Sequence, residues 1–282
     1  MRGNYAMDEE KQKLISIWDK VAPTFSKVGP NYWNEFGKRL VQLSKINEGA
    51  KVLDVGMGRG ASLFSAVNKI GKKGYAVGID TSEAMVKETY KDILEQHIDN
   101  IEVIKMDAAK LSFYDSSFDN VICGFGIGYI LFNDRKLTEI LRVLKKGGQV
   151  GFSAWGIQED QKWLNEITNR YLNINPSSQD KNRESDISKF NTVEDMRKIL
   201  EDSGFKNVKV YQEDADVIYM SKEEWWEEMW SNAARGIFEQ IETLGSNKFK
   251  EFKEDVFDGL EKFKSIAEFH FSMPVIYGFG EK

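Results

Sequence analysis

The sequence predicts an α/β protein built on an open, largely parallel sheet with helices on both faces. Three observations carry this. From Glu48 to Trp155, short β-rich apolar runs alternate with stretches of helical periodicity, as strands alternate with crossover helices. The run Val52-Leu53-Asp54-Val55-Gly56-Met57-Gly58-Arg59-Gly60 reads as a buried strand entering a glycine-rich turn. The stretch 268–279 alternates Phe269, Phe271, Met273, Val275 and Tyr277 with polar or small residues, which predicts a late antiparallel strand.

Strands are expected near 51–55, 75–79, 101–105, 118–124 and 149–154, and those near 207–212 and 268–279 complete a seven-stranded sheet. Ser82 caps a helix whose Met85, Val86, Ile93 and Leu94 recur at helical spacing. Asp134 opens another, with Leu137, Ile140, Leu141 and Leu144, that Gly147 and Gly148 close. A helix over 158–172 runs into NINPSSQDKNRESD, a polar stretch expected to be a mobile or partly disordered surface loop. Thr192 then caps a helix (Val193, Met196, Ile199, Leu200) that ends at Gly204, and two further helices are expected over 221–244 and 247–264. No internal repeat is present. The predicted organisation is an N-terminal helical cap segment over 1–45, a cofactor-binding core over 46–155, a helix and loop over 156–190, and completion of the sheet over 191–282 with a helical insertion at 221–264. The segments outside the core are expected to roof the carboxyl ends of the strands, where open α/β sheets bind ligands.

Composition narrows the function. At 282 residues with 41% hydrophobic, the chain buries a sizeable core without staples. Its only cysteine, Cys123, lies in an apolar run and reads as a buried, inert thiol in a reducing compartment. MRGNYAMDEEKQK is charged and lacks an apolar signal region, and the apolar run from Val121 to Phe132 is far shorter than the roughly 20 residues of a membrane span. A cytoplasmic protein with no membrane partner is expected. With 39 basic against 45 acidic residues the net charge is −6, and no basic stripe interleaved with aromatics marks a nucleic-acid surface. No cysteine or histidine cluster has metal-ligand spacing, so no metal is expected.

The glycines of 56–60 call for positive φ and close backbone approach to a ligand at a helix N-terminus. With Ala61 the run also satisfies GxGxxA, the relaxed dinucleotide fingerprint. Asp80, ending YAVGID, stands about 20 residues beyond Gly60, where a carboxylate accepts from the ribose hydroxyls of an adenosine. These features suit a nicotinamide dinucleotide as well as another adenosine-bearing cofactor.

Three more features separate them. Asp54, ahead of Gly56, gives the order DxGxGxG; KMDAAKL follows the third strand; and SFDNVICGFGIGYI, then LRVLKKGG, leads to a strand ending at Trp155. With these motifs the sequence closely resembles the class I S-adenosylmethionine-dependent methyltransferases, especially the ubiquinone/menaquinone-biosynthesis group, over roughly 18–155 and more loosely beyond 190. The resemblance implies a Rossmann-like fold and S-adenosylmethionine as cofactor, with S-adenosylhomocysteine as product. It implies that Asp54 helps hold the positively charged methionine end, that Asp107 takes the adenine amino group, and that the Ala108 amide meets the ring. Gly56, Met57, Gly58 and Gly60, with Asp80, Thr81, Met85 and Gly124, complete the cofactor set. Phe25 either stacks near the cofactor or packs the N-terminal segment. In VAPTFSKVGP, Phe25 and Ser26 stand where quinone-type members often carry a Tyr-Asp pair, which argues against a quinone substrate; Lys146 replaces a usual proline.

The acceptor is less specified. A phenol with pKa near 10 costs about 4 kcal/mol to ionise at pH 7, whereas a carboxylate is already charged. Only two histidines exist, His97 and His270; His97 reads as a surface residue, while His270 in the last strand, with Tyr129 and Arg235, is a candidate catalytic group. Arg235, then Arg39, are candidate cations for steering an anionic acceptor. In SKEEWWEEMWSNAARGIF, Trp226, Met229, Trp230, Ala233, Ile237 and Phe238 share one helical face, and Trp226 and Trp230 join Trp155 as candidate pocket walls; Glu223, Glu224, Glu227 and Glu228 are expected on a solvated outer face. The expected activity is methylation of a small-molecule or peptide acceptor at a carboxylate or hydroxyl oxygen. The alternatives are carbon methylation of a quinone-like ring and a non-catalytic, cofactor-binding regulator.

Overall fold

The computed structural model describes residues 2–131, 137–173 and 190–282. The chain divides into two compact units. The first comprises Met1–Asn31, Gln158–Lys181 and Ala215–Met273; the second comprises Tyr32–Ile157, Asn182–Asp214 and Pro274–Lys282.

The second unit carries the parallel sheet. Strands β1 (Lys51–Val55), β2 (Tyr75–Asp80), β3 (Ile101–Lys105), β4 (Phe118–Gly124) and β5 (Leu144–Trp155) alternate with helices that include α3 (Ala61–Ile70) and α4 (Glu83–Glu95). Ahead of them runs α2 (Tyr32–Leu43), whose Tyr32, Phe36, Leu40 and Val41 are buried. The sheet order is β3-β2-β1-β4-β5-β8-β6, with β6 spanning Lys206–Tyr219 and β8 spanning Glu268–Glu281. As expected from its alternation, β8 enters late and pairs antiparallel with β5, Ser153 facing Tyr277. An eighth, two-residue strand β7 (Lys264–Ser265) pairs with β8 alone. The central strands are hydrophobic on both sides, with Leu53, Val121, Ile122, Cys123, Val150 and Phe152 fully buried. Burial pushes the Cys123 thiol well above its usual range, consistent with an inert core cysteine.

Capping follows the sequence closely. The Ser82 hydroxyl accepts from the Met85 amide at the start of α4, and Thr192 does the same for Asp195 at the start of α8 (Val193–Asp202). The expected helix opening at Asp134 begins outside the described residues. Its continuation, α6 (Thr138–Val143), stops before Leu144, because residues 144–148 join β5. There the Gly147 amide donates to the Lys282 carbonyl and the Lys282 amide to the Gly148 carbonyl. The polar stretch after Asn173 also lies outside the described residues as far as 189.

The first unit contains α1 (Arg2–Val21), α7 (Glu159–Leu172), α9 (Lys222–Trp230), α10 (Arg235–Glu242) and α11 (Ser246–Leu260). The helix expected over 221–244 is two helices. At the break the Asn232 side chain accepts from the Ala234 amide, a local bond that competes with the helical ladder. The aromatic stripe packs inward: Trp226 stacks on Phe238 at 4.7 Å and meets Phe252 at 5.9 Å. Glu228, expected on the solvated face, is 2% exposed. The Tyr219 hydroxyl donates to its Oε2 at 2.5 Å and the Asn232 amide to its Oε1 at 3.2 Å. These partners replace the water the carboxylate gives up.

Candidate functional site

Strands β1 to β5 are parallel, so their carboxyl ends share one edge, and chain order reverses between β1 and β4. Ligands of open α/β sheets bind at such a switch point. The ends that meet there are Val55, Asp80, Lys105, Gly124 and Trp155.

The turn after β1 is held by its own backbone. Met57 donates to the Ile79 carbonyl at 3.0 Å and Gly60 to the Met57 carbonyl at 2.8 Å. Gly56 and Gly60 have φ of 67° and 81°, and a Cβ on Gly56 would meet nothing within 4 Å. The turn is thus open to a ligand at Gly56 and closed at Gly60, where a Cβ would sit 2.7 Å from the Phe64 ring. Asp80 ties the turn to the second strand, its Oδ2 accepting from the Gly58 amide at 3.0 Å and its Oδ1 from Ser82 at 2.9 Å. Thr89 adds a bond from α4 to the Gly58 carbonyl at 2.8 Å. The Arg59 side chain is 2% exposed, and its guanidinium pairs with Asp92 of α4.

Asp54 is the least conventional group. It lies in β1 between Gly78 and Ile122 and is fully buried. Its Oδ2 accepts from the Ser62 hydroxyl at 2.6 Å, while its Oδ1 meets no hydrogen-bond donor. Burial, opposed by the Ser62 bond and reinforced by Asp80, pushes the carboxyl up to about 7. A buried carboxylate without a partner is costly, so Oδ1 calls for a proton or a cation. Close by, a Cβ on Gly124 would lie 3.7 Å from both the Ser62 and Ser153 hydroxyls. Ser153, in register with Gly124 on β5, is also buried with its hydroxyl unpartnered.

Of the other expected cofactor residues, Asp107 follows β3 and its Oδ1 accepts from the Ala109 amide at 3.0 Å. Asp107, Ala108 and Thr81 are half-buried. The Met57 and Met85 side chains are buried, and the Met57 sulfur packs onto Gly78.

At the ends of β4 and β5 stands an aromatic set that includes Trp155, an expected pocket wall, together with Trp33, Phe36 and Phe125, which the sequence reading missed. Phe125 and Trp155 lie with centroids 4.2 Å apart, and Trp33 of α2 meets each of them at 5.4 Å. Phe36 meets Phe125 at 5.9 Å and Trp155 at 5.7 Å. Trp33, Phe125 and Trp155 remain half-buried. Phe125 holds φ at 57°, a left-handed conformation that costs a non-glycine residue about 1–2 kcal/mol. The legible signals were the Tyr32-Trp33-x-x-Phe36 spacing at the start of α2 and the Gly124-Phe125-Gly126 triplet. Tyr129, also half-buried, lies in the short helix α5 (Ile127–Leu131) that follows.

Several candidates fall in the first unit. Phe25 packs edge-on against Trp18 at 5.5 Å. Arg235 pairs with Glu239 at 2.8 Å and faces the Trp230 ring. His270 Nδ1 lies 2.8 Å from Asp216. Trp226 and Trp230 sit in the aromatic core described above. Arg39, in the second unit, is held by both carboxylate oxygens of Glu213 at 2.8 and 2.5 Å, so the anion-steering cation expected there is already neutralised. Among the described residues no cluster of three or more histidine, cysteine or acidic side chains could hold a metal ion, and no helix is long and apolar enough to cross a membrane.

Fold and candidate site together define an open-sheet α/β protein whose switch point presents a glycine turn, carboxylates within or beside the ends of three strands, and a half-buried aromatic wall. The ubiE/COQ5 methyltransferase family model matches residues 11–222, and the chain belongs to that family. Aklanonic acid methyltransferase DauC of Streptomyces sp. (strain C5) is 32% identical over 144 residues, covering 51% of this chain and 66% of that protein. A demethylmenaquinone methyltransferase of Listeria monocytogenes is 30% identical over 147 residues, covering 51% and 62%. The matches thus span less than two thirds of either relative. The phosphoethanolamine N-methyltransferase 2 of Haemonchus contortus, solved with S-adenosyl-L-methionine, shares the fold at a TM-score of 0.54 and 19% identity, covering 95% of this chain and 57% of that one.

Proposed function

We propose that the protein transfers the methyl group of S-adenosylmethionine to an oxygen of a small molecule with a flat, apolar body, a carboxylate being the favoured oxygen. The observation that carries the cofactor half is Asp54: its buried Oδ1 has no donor, and the cofactor's methionine end supplies an ammonium. In this reading Asp54 holds that end, the 56–60 turn admits the backbone approach, Asp80 takes the ribose hydroxyls, and Asp107 with the Ala108 amide takes the adenine. When bound, the cofactor supplies an already activated methyl group, so the protein's own residues have only to bind, orient and exclude water. Orientation of two reactants is worth about 7–11 kcal/mol.

The acceptor half rests on two facts. The Trp33, Phe125 and Trp155 rings offer a flat apolar wall at the ends of β4 and β5, and rings stack well on such surfaces. Neither histidine is offered as a base in this reading: His97 is exposed after α4, and His270 is engaged with Asp216. An acceptor that is already ionised needs no such base. The activities named for the aklanonic acid and demethylmenaquinone relatives fit a flat, ring-bearing acceptor.

The test is incubation with methyl-labelled S-adenosylmethionine and paired aromatic acids, phenols and quinols. Label in an alkali-labile methyl ester of the acids supports the proposal. Label confined to alkali-stable ring carbon would assign carbon methylation instead, and no cofactor binding by calorimetry would overturn the cofactor assignment.

A further inference from the structure

Ser62 is the second residue of α3 and 4% exposed. It lies directly beyond the glycine turn, and its hydroxyl donates to Asp54 Oδ2 at 2.6 Å. The groups acting on the Asp54 carboxyl are few. Ser62 and the Leu63 amide, both on α3, favour its charge, and Asp80 at the end of β2 opposes it. From β4, the thiol of Cys123 is the remaining titratable neighbour. Among the described residues no side-chain cation is one of them.

We propose that Ser62 is a positioning residue for cofactor capture: its hydroxyl engages Oδ2, favours the charged carboxylate, and leaves Oδ1 as the acceptor for the ammonium of the methionine end. The proposal rests on Asp54 being the acid that meets the cofactor. The physical reason is the asymmetry of the carboxyl. A hydrogen bond to a charged group is worth roughly twice a neutral one, so a donor fixed on one oxygen favours ionisation and also sets the plane in which the other oxygen points. With no side-chain cation among the described neighbours to offset the charge, the Ser62 hydroxyl, the larger of the two α3 contributions, shifts the balance toward meeting an ammonium as a carboxylate. Ser62 touches neither the reacting methyl nor its acceptor in this account; it acts through Asp54.

The test uses S-adenosylhomocysteine, which keeps the ammonium and lacks the methyl, titrated calorimetrically into the full-length protein between pH 5.5 and 8. Wild-type affinity should fall as the pH drops through the Asp54 transition. In Ser62→Ala that midpoint should move about one unit upward, so that affinity is about tenfold lower at pH 6.5 and recovers toward wild type at pH 8 and above. A loss of equal size at every pH is what a purely structural role gives and would overturn the proposal. Isotope-edited infrared spectroscopy of the aspartate carboxyls in the ligand-free protein, with Asp54→Asn identifying the band, provides a second reading that needs no ligand. An Asp54 band that titrates identically in wild type and Ser62→Ala likewise overturns it. Should Asp54→Asn bind S-adenosylhomocysteine like wild type with an unchanged pH profile, the assignment of Asp54 itself fails. Should Asp54→Asn lose binding while the Ser62→Ala midpoint stays put, only the role of Ser62 fails.

Discussion

Replacing Asp54 by asparagine should stabilise the ligand-free protein while abolishing capture of the cofactor. In an unfolded chain an aspartate titrates near 3.9, whereas burial raises the Asp54 carboxyl to about 7. The folded state therefore holds this proton more tightly than the unfolded one, and the stability it contributes is fully present below about pH 4 and is lost as the pH rises to 7. Three pH units at about 1.36 kcal/mol each make that loss about 4 kcal/mol. Asparagine has nearly the same shape and carries no charge, but its amide hydrogens find no acceptor at the Oδ1 position, so a net gain of about 2–3 kcal/mol is expected at pH 8. For a chain of this size that raises Tm on the order of 5 °C. Differential scanning calorimetry at pH 8 and pH 5.5 should show the gap between variant and wild type narrowing by about 2 kcal/mol at the lower pH. A variant less stable than wild type at pH 8, or a gap unchanged between the two, would refute the reasoning.

Asp80→Ala removes the acceptor for the Gly58 and Ser82 amides and should weaken S-adenosylhomocysteine at least tenfold across the whole pH range, in contrast to the pH-dependent loss at Ser62; calorimetry separates the two patterns. Phe125→Ala keeps the unfavourable φ, because alanine retains a Cβ, and deletes the ring that packs on Trp155, so the KM for the acceptor should rise tenfold or more while S-adenosylhomocysteine affinity stays within about threefold; equal losses for both ligands would remove Phe125 from the acceptor wall. Glu228→Ala leaves the Tyr219 hydroxyl buried without its acceptor and should cost about 2–3 kcal/mol in urea unfolding, whereas the double variant with Tyr219→Phe should cost less than the sum of the two single changes.

Much of the parallel core was legible because its determinants are local. The strands at 101–105 and 118–124 carry their own apolar runs, and Ser82 and Thr192 cap the helices their spacing predicts. What escaped the sequence was decided by distant partners. Leu144 to Gly148 read as the end of a helix, with glycines where a helix C-terminus wants them, yet pairing with Lys282 draws the segment into β5. Glu228 looks like one more surface acid in a run of four, until Tyr219 and Asn232 close over it. The same contrast divides the site. Asp54, Asp80 and Asp107 stand out because each lies at or within two residues of the carboxyl end of a recognisable strand, while Trp33 and Phe36 are visible only once α2 brings them to Phe125 and Trp155. Ser62 was overlooked because a serine in the first turn of a helix is ordinary, and only the buried acid beside it gives it a task.

Arg59, the one charged residue inside the 56–60 turn, bears on the proposed ligand by what it withholds. In a turn that fits a dinucleotide fingerprint, an arginine facing the ligand would welcome a diphosphate. Here its guanidinium is spent on Asp92 inside the protein, and the groups left near the turn are the carboxyls of Asp54 and Asp80. In the proposed reading the Asp54 carboxyl at this turn favours a cationic methionine end over a diphosphate. On that proposal, charge beside the glycines, more than the glycines themselves, distinguishes one adenosine-bearing cofactor from another.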